Sequence, residues 1–237
     1  AKGIKQAIEA HRRAMPYCMG SLYWQINDCW PVASWSSTDY YHKWKAVHYA
    51  VKHAYEKVIV SGFITKQKIL KTFVVSDKLK PLKGELILKV LKFNGDLINH
   101  LTLPVNAAAN SSTLVKSLPL NKVLKNSNPT EVVIVMQLKM NEKIIATNNI
   151  YPAKPKEQKL PKTDTQLSVS TKNGKTVVLV SSDKLARAVY LNVPNCNEFF
   201  SDNYFDILPH ETVAVELKGA KINDASDIKV THLGNLK

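Results

Sequence analysis

From Val58 onward the sequence is a series of short runs in which β-branched and apolar residues alternate with polar ones, interrupted by Gly, Pro, Asn and Ser. "KTFVVSD" at 71–77, "GELILKVLKF" at 84–93, "TEVVIVMQLKM" at 130–140 and "EKIIATNNIY" at 142–151 have the period and composition of strands. Asn94, Gly95 and Asp96 between two such runs make a tight turn. A period of two places every second side chain on one face, so this pattern commits most of the chain to β structure. The alternation breaks at 152–162, "PAKPKEQKLPK", which reads as a linker. It then resumes in "TQLSVSTK", "TVVLVSSD", "ARAVYLNV", "ETVAVELKG" and "DIKVTHL", with a turn at Asn173 and Gly174. Each region is roughly eighty to a hundred residues with strands about every ten, the size and spacing of an immunoglobulin-like sandwich. Neither carries the Cys, Trp, Cys pattern of antibody domains, so the expectation concerns architecture alone.

The first 57 residues have a different texture. Over 2–15, Ile4, Ala7, Ile8 and His11 recur at helical spacing, and Pro16 ends the pattern. Ala1 falls in what reads as the body of a helix, so the sequence predicts that more polypeptide precedes it. Residues 20–26 are too short for a helix and apolar on both faces, with Leu22, Trp24 and Ile26 alternating against Tyr23 and Gln25. That pattern predicts a strand of a parallel sheet covered by helices on both sides. After an irregular loop at 27–37, a second helix is expected, capped by Thr38 or Asp39 and striped by Trp44, Val47, His48, Val51, Ala54 and Tyr55. Helix, strand, helix is the rhythm of an α/β unit, and one strand needs neighbours to make a sheet.

With 237 residues, 45% hydrophobic and 22% charged, the chain can bury a substantial core. No run reaches the roughly eighteen apolar residues of a membrane span. The formal charge of +14 invites a nucleic-acid reading. Yet the lysines are dispersed and the arginines are limited to Arg12, Arg13 and Arg187, whereas phosphate and base readers favour clustered arginine. A solvated lysine-rich surface is expected, with no nucleic-acid partner. Cys18, Cys29 and Cys196 have no metal-ligand spacing, and their odd number argues against a disulfide framework. Buried free thiols are expected, and nothing implies a metal or cofactor.

Candidate chemistry concentrates before residue 58. No G-x-S-x-G elbow accompanies Ser21, Ser34, Ser36 or Ser37, and His42, His48 and His53 read as surface or satisfied histidines rather than ligands. The carboxylates available for acid-base work are Glu9, Asp28, Asp39 and Glu56, of which Asp28 follows the expected strand. Trp24, Trp30 and Trp35 are three of the four tryptophans. At the C-terminal end of a barrel strand an indole lies where barrel enzymes build active sites. Its face can pack on the C–H face of a sugar while Gln25, Asn27 and Asp28 reach hydroxyls. From the residues alone, Trp24 is equally a sugar platform or a core aromatic, whereas Trp30 and Trp35 fit better as anchors of the loop.

"MGSLYWQINDCWPVASWSSTDYYHKWKAVHYA", 19–50, resembles the last barrel strand and helix of the β-mannosidases of glycoside hydrolase family 2. The likeness lies in the order Trp-Gln-x-Asn-Asp-x-Trp-Pro, followed by Ser-Trp-Ser, Asp-Tyr-Tyr and Trp-Lys. "FFSDNYFDILP" at 199–209 is similar to a signature near the end of the same enzymes, and "VVSD" at 74–77 and "AKPKEQKLP" at 153–161 also fit. The resemblance therefore extends over the whole chain.

That resemblance implies a mainly β fold: two immunoglobulin-like β-sandwiches, 58–153 and 154–237, preceded by a helix-strand-helix remnant of a (β/α)8 barrel at 1–57. It implies a parent enzyme that removes terminal non-reducing β-D-mannose with retention, acting on a β-mannoside or mannan-derived oligosaccharide, exported to the periplasm or medium or lysosomal. The family's two catalytic glutamates sit on earlier barrel strands, upstream of Ala1, so no catalytic residue is assigned here and the chain alone is expected to be inactive. Trp24 is the implied floor of the terminal-mannose subsite, with Gln25, Asn27 and Asp28 as secondary candidates, and the Trp24–Gln25 peptide is expected to be cis in the intact enzyme. The alternatives are a family-2 exo-β-glucosaminidase, or a non-catalytic carbohydrate- or partner-binding sandwich module. The module would need an exposed aromatic row, and Phe199, Phe200, Tyr204 and Phe205 fit core packing better. An uncovered barrel strand must find cover, either on the first sandwich or on a second copy of the chain.

Overall fold

The alternating runs become antiparallel strands in a computed structural model that describes residues 1–194, 199–219, 222 and 224–236. The chain divides into two compact units. One comprises Ala1–Tyr23, Ala50–Lys92 and Asp96–Lys159; the other comprises Trp24–Tyr49, Phe93–Gly95 and Leu160–Lys237.

In the first unit, β1 (Val58–Ile64), β2 (Ile69–Ser76) and β5 (Ser111–Pro119) form one sheet, ordered β1-β2-β5. The strands β3 (Leu82–Lys92), β4 (Leu97–Ala107), β6 (Val132–Met140) and β7 (Lys143–Ile150) form the other, ordered β4-β3-β6-β7. Register sets the core: β3 meets β6 with Leu86 opposite Leu138 and Leu88 opposite Met136, so all four side chains leave the sheet on one face. That face meets Val58, Val60 and Val74 of the smaller sheet. Burying each such side chain contributes about 1.5–3 kcal/mol. The quoted runs did not include β1, β4 or β5. Pro104 interrupts the alternation of β4 and is tolerated because β4 is an edge strand, where one side of the backbone needs no ladder partner. Asn99, buried on β4, donates to the Val123 carbonyl at 2.8 Å, closing the short helix Leu120–Leu124 against the sheet.

Helix α1, Lys2–Arg13, forms where its periodicity predicted, but a different face is buried. Ile4, Ala7 and His11 face solvent, whereas Ile8, Glu9 and Arg12 are buried. Arg12 donates to the carbonyls of Ala54 (2.6 Å) and Glu56 (2.8 Å) and makes a two-toothed contact with Asp77 at 3.0 Å. Glu9 accepts from Ser61 (2.7 Å) and Asn148 (3.1 Å), and the Arg13 guanidinium lies 4.8 Å from the centre of the Phe63 ring. Buried charge is tolerable when paired and hydrogen-bonded, and here that pairing, rather than the apolar stripe, chooses the face.

The second unit repeats the sandwich plan. The strands β8 (Thr165–Lys172), β9 (Lys175–Ser182), β11 (Phe199–Phe200) and β13 (Thr212–Lys218) are ordered β11-β13-β9-β8. Opposite them, β10 (Ala186–Asn192), β12 (Phe205–Ile207) and β14 (Lys229–Thr231) are ordered β12-β10-β14. Val178, Val180, Val215, Leu217 and Phe200 interleave with Val189, Leu191 and Ile207. Between β11 and β12, buried Asn203 accepts from the Leu191 amide and donates to the Leu191 carbonyl, each at 2.9 Å, so its amide is satisfied inside the core. The Phe199 to Phe205 aromatics therefore pack inward rather than forming an exposed row: Phe200 is buried, Phe205 lies against the core, and Phe199 stands edge-on to Trp44 at 4.4 Å.

The segment before β1 departs most from expectation. Residues 20–26 form no strand, and Leu22, Trp24 and Ile26 are exposed instead of buried on two faces. A ladder needs a continuous partner, and here pairing touches only the end of the segment: the Ser37 and Thr38 amides bond the Gln25 and Ile26 carbonyls, and one parallel bridge joins Asn27 to Thr38. The second helix, α2, runs Ala46–Ala54 and starts later than expected. Asp39 does not cap it: its carboxylate accepts the Lys43 amide at 2.9 Å, closing a tight turn in which His42 adopts a left-handed conformation (φ 64°). The proline-rich stretch after β7 is pinned to the first unit, where the Lys159 amide donates to Thr130 at 2.9 Å and its ammonium pairs with Glu131 at 2.8 Å. Cys18 and Cys29 are free thiols, half-buried and exposed rather than buried, because they lie in loop instead of core. Cys196 lies outside the described residues.

Candidate functional site

The loop from Trp24 to Lys45 carries the predicted site residues. Its two limbs are held together by backbone contacts: the Ser37 amide donates to the Gln25 carbonyl (3.0 Å), the Thr38 amide to Ile26 (2.8 Å), and the Asp28 amide to Thr38 (3.1 Å). The Ser37 hydroxyl adds a bond to the Ile26 carbonyl at 2.9 Å and lies 3.1 Å from His48 Nδ1. The Trp24–Gln25 peptide is cis, as is Met15–Pro16.

Inside the loop, the Asp28 carboxylate accepts from the Ser34 hydroxyl, from the Ser36 hydroxyl (2.7 Å) and from Lys45 Nζ (2.9 Å). Lys45 Nζ also reaches Ser36 Oγ at 2.7 Å, and its amide donates to the Ser37 carbonyl at 2.9 Å. The hydrogen bond from Ser34, followed by that from Lys45, lowers the Asp28 pKa to about 2. Sequence reasoning missed Ser34, Ser36 and Lys45 as Asp28's partners. The readable signal is Ser-Trp-Ser itself: alternation turns both hydroxyls toward Asp28 and leaves Trp35 outside.

Trp24 is 76% exposed and free of the core. Gln25 donates to the Asn27 carbonyl at 2.9 Å and Asn27 is exposed beside it, so both polar neighbours remain near the indole in sequence and at the surface. Asp28 is removed from that group, its side chain only 1% exposed. Trp30 and Trp35 are exposed rather than buried as anchors, and the buried side chains of the loop are Asp28, Ser36 and Ser37. Trp44 instead packs on His48, ring centres 3.9 Å apart, and on Tyr49, whose hydroxyl donates to the Phe200 carbonyl at 3.1 Å. His53 is engaged with Glu56 at 2.9 Å.

A pocket of about 450 Å³ opens beside the loop, lined by Asp28, Tyr40, Tyr41 and His42. A larger open groove of about 1000 Å³ on the second sandwich contains none of the predicted residues; Asp164, Asp183, Lys184 and His210 are among its walls.

Comparison with known proteins follows the same division. Residues 68–157 match the Mannosidase Ig/CBM-like domain, and residues 160–236 match the Ig-fold domain of mannosidases. The chain is 30% identical over 224 residues to β-mannosidase A of Aspergillus flavus, covering 86% of this chain and 24% of that protein. It is 28% identical over 204 residues to β-mannosidase of Rattus norvegicus, covering 82% and 23%. The chain thus spans about a quarter of the length of these relatives. Among solved structures, β-D-mannosidase from Dictyoglomus thermophilum superposes with a TM-score of 0.84 at 26% identity, over 98% of this chain and 28% of that one. An exo-chitosanase from Amycolatopsis orientalis shares the fold, with a TM-score of 0.70 at 14% identity over 97% of this chain and 32% of that one.

Proposed function

We propose, for a chain that belongs with the C-terminal immunoglobulin-like portion of the glycoside hydrolase family 2 β-mannosidases, that it supplies one wall of an active site. In the intact enzyme Trp24 is the apolar floor beneath the terminal, non-reducing β-D-mannose of a β-mannoside or mannan-derived oligosaccharide. The observation that carries this reading is the exposure of Trp24, 76%, on a loop whose geometry is fixed from within. An indole face outside any core is matched to the C–H face of a pyranose, and its N–H remains available to a hydroxyl. Gln25 and Asn27 stand ready for hydroxyl contacts, and Asp28 acts on the sugar only indirectly.

Retaining hydrolysis needs two carboxylates about 5 Å apart, one as nucleophile and one as acid and base. The carboxylates that accompany the loop have other engagements: Glu9 with Ser61 and Asn148, Asp28 with Ser34, Ser36 and Lys45, Asp39 with the Lys43 amide, and Glu56 with His53. In this reading the catalytic pair is supplied by polypeptide outside these residues, and the chain by itself is expected to be inactive. In this reading residues 1–57 are barrel, and the sandwiches at 58–153 and 154–237 brace it. The test compares the chain with the complete polypeptide carrying it, on nitrophenyl β-D-mannoside and nitrophenyl β-D-glucosaminide. The expected result is no turnover by the chain, and mannoside hydrolysis by the complete protein. Turnover by the chain alone would overturn the reading, and preference for the glucosaminide would transfer it to the exo-glucosaminidases.

A further inference from the structure

We infer that Asp28 is a positioning residue for Trp24: its buried carboxylate, with Lys45, Ser34 and Ser36, is the latch that fixes the loop presenting the indole. This rests on the reading of Trp24 as a sugar platform for its functional meaning, but the latch itself stands on geometry.

Apolar packing holds only the end of this loop, where Trp44 lies against His48, Tyr49 and Phe199. Trp24, Ile26, Trp30, Val32 and Trp35 all have exposed side chains, so the usual source of loop rigidity is absent from its outer surface. The buried side chains are polar: Asp28, Ser36 and Ser37. Asp28 joins one limb of the loop to the other through the two serine hydroxyls, and Lys45 joins both to the start of α2. From that cluster the constraint passes to the residues following Trp24 by the Ser37 to Gln25, Thr38 to Ile26 and Asp28 to Thr38 backbone bonds. An ionised carboxylate accepts from all three donors at once, whereas an amide of the same shape has one acceptor oxygen and turns its NH2 toward donors. Asp28→Asn therefore strands at least one hydroxyl or the Lys45 ammonium, a substitution nearly isosteric yet incompatible with the latch.

Amide hydrogen exchange on the 237-residue chain reads the latch directly, because the Asp28, Ser37, Thr38 and Lys45 amides are each bonded across the loop. In Asp28→Asn their protection is expected to fall at least tenfold while the amides of β9 and β13 keep theirs, and Trp24→Ala should leave all four unchanged. Unaltered protection in Asp28→Asn would overturn the inference. Should that variant fail to fold, Ser34→Ala reads the same amides, with a loss of threefold or more expected and no loss contradicting the latch. In the complete enzyme, Asp28→Asn should raise KM for nitrophenyl β-D-mannoside, and in a Trp24→Ala background the same change should add less than twofold. Full additivity of the two would show that Asp28 does not act through Trp24. A Trp24→Ala enzyme with unchanged KM would sink the sugar reading alone, leaving the exchange result to judge the latch.

Discussion

The first sandwich and the Trp24 loop are both rich in large apolar side chains, and they dispose of them in opposite ways. In the sandwich, Leu86, Leu88, Met136 and Leu138 are fully withdrawn from water against Val60 and Val74. In the loop, Trp24, Ile26, Trp30 and Trp35 are all more than half exposed, and the interior belongs to a carboxylate, an ammonium and three hydroxyls. One region obtains its order from apolar burial, although Leu97 and Leu114 on its strands remain exposed. The other is ordered by hydrogen bonds, which leaves its aromatic faces uncommitted. Exposed indoles on an internally braced loop leave an apolar surface open to contact, with a ligand or with further polypeptide of a longer enzyme.

The contrast can be broken most forcefully in the sandwich. Leu86→Ala removes a side chain at the centre of the first core and should cost about 2–5 kcal/mol in urea unfolding; a loss below about 1 kcal/mol would mean that the core is not closed there. Gly84→Ala should cost about 1–3 kcal/mol by the same measurement, because a Cβ at that position runs into the Lys139 carbonyl and the Met140 side chain. The loop should instead respond to acid. The folded pKa of Asp28 lies near 2, below its ordinary 3.8, so its contribution is complete above pH 3.8 and disappears as the pH falls toward 2. Protection of the Ser37 and Thr38 amides should accordingly persist at pH 4 and decline only below it, whereas loss between pH 6 and 5 would assign the latch to another group. The smallest effect belongs to Trp35→Ala, within about 0.5 kcal/mol of the parent in urea, since the indole lies outside both cores. A larger loss would make Trp35 the anchor that its sequence context suggested.

The fold was legible wherever a run of alternating residues had two neighbours to pair with. The runs around Leu86, Val133, Val178 and Val215 became central or well-covered strands, in register with their apolar faces inward. Pro104 concealed β4, because the rule against proline in strands is relaxed only at an edge, and edges are decided by tertiary pairing. The helix face of α1 was misjudged for a related reason: Glu9 and Arg12 are buried by partners as distant in sequence as Asn148 and Asp77, which periodicity does not register. At the candidate site, Trp24 and its polar neighbours were visible as residue types in an unusual order. Their roles were not, since Asp28 looks like Asn27 until Ser34, Ser36 and Lys45 are brought around it.

The central claim, that Trp24 is held out of the core in order to meet a sugar, is tested most directly by steady-state kinetics of Trp24→Ala in the complete enzyme on nitrophenyl β-D-mannoside. Loss of an indole stacked on the reacting mannose should lower kcat/KM by at least about tenfold, in a variant shown by its melting transition to be folded. An unchanged kcat/KM in a folded Trp24→Ala enzyme would contradict the account.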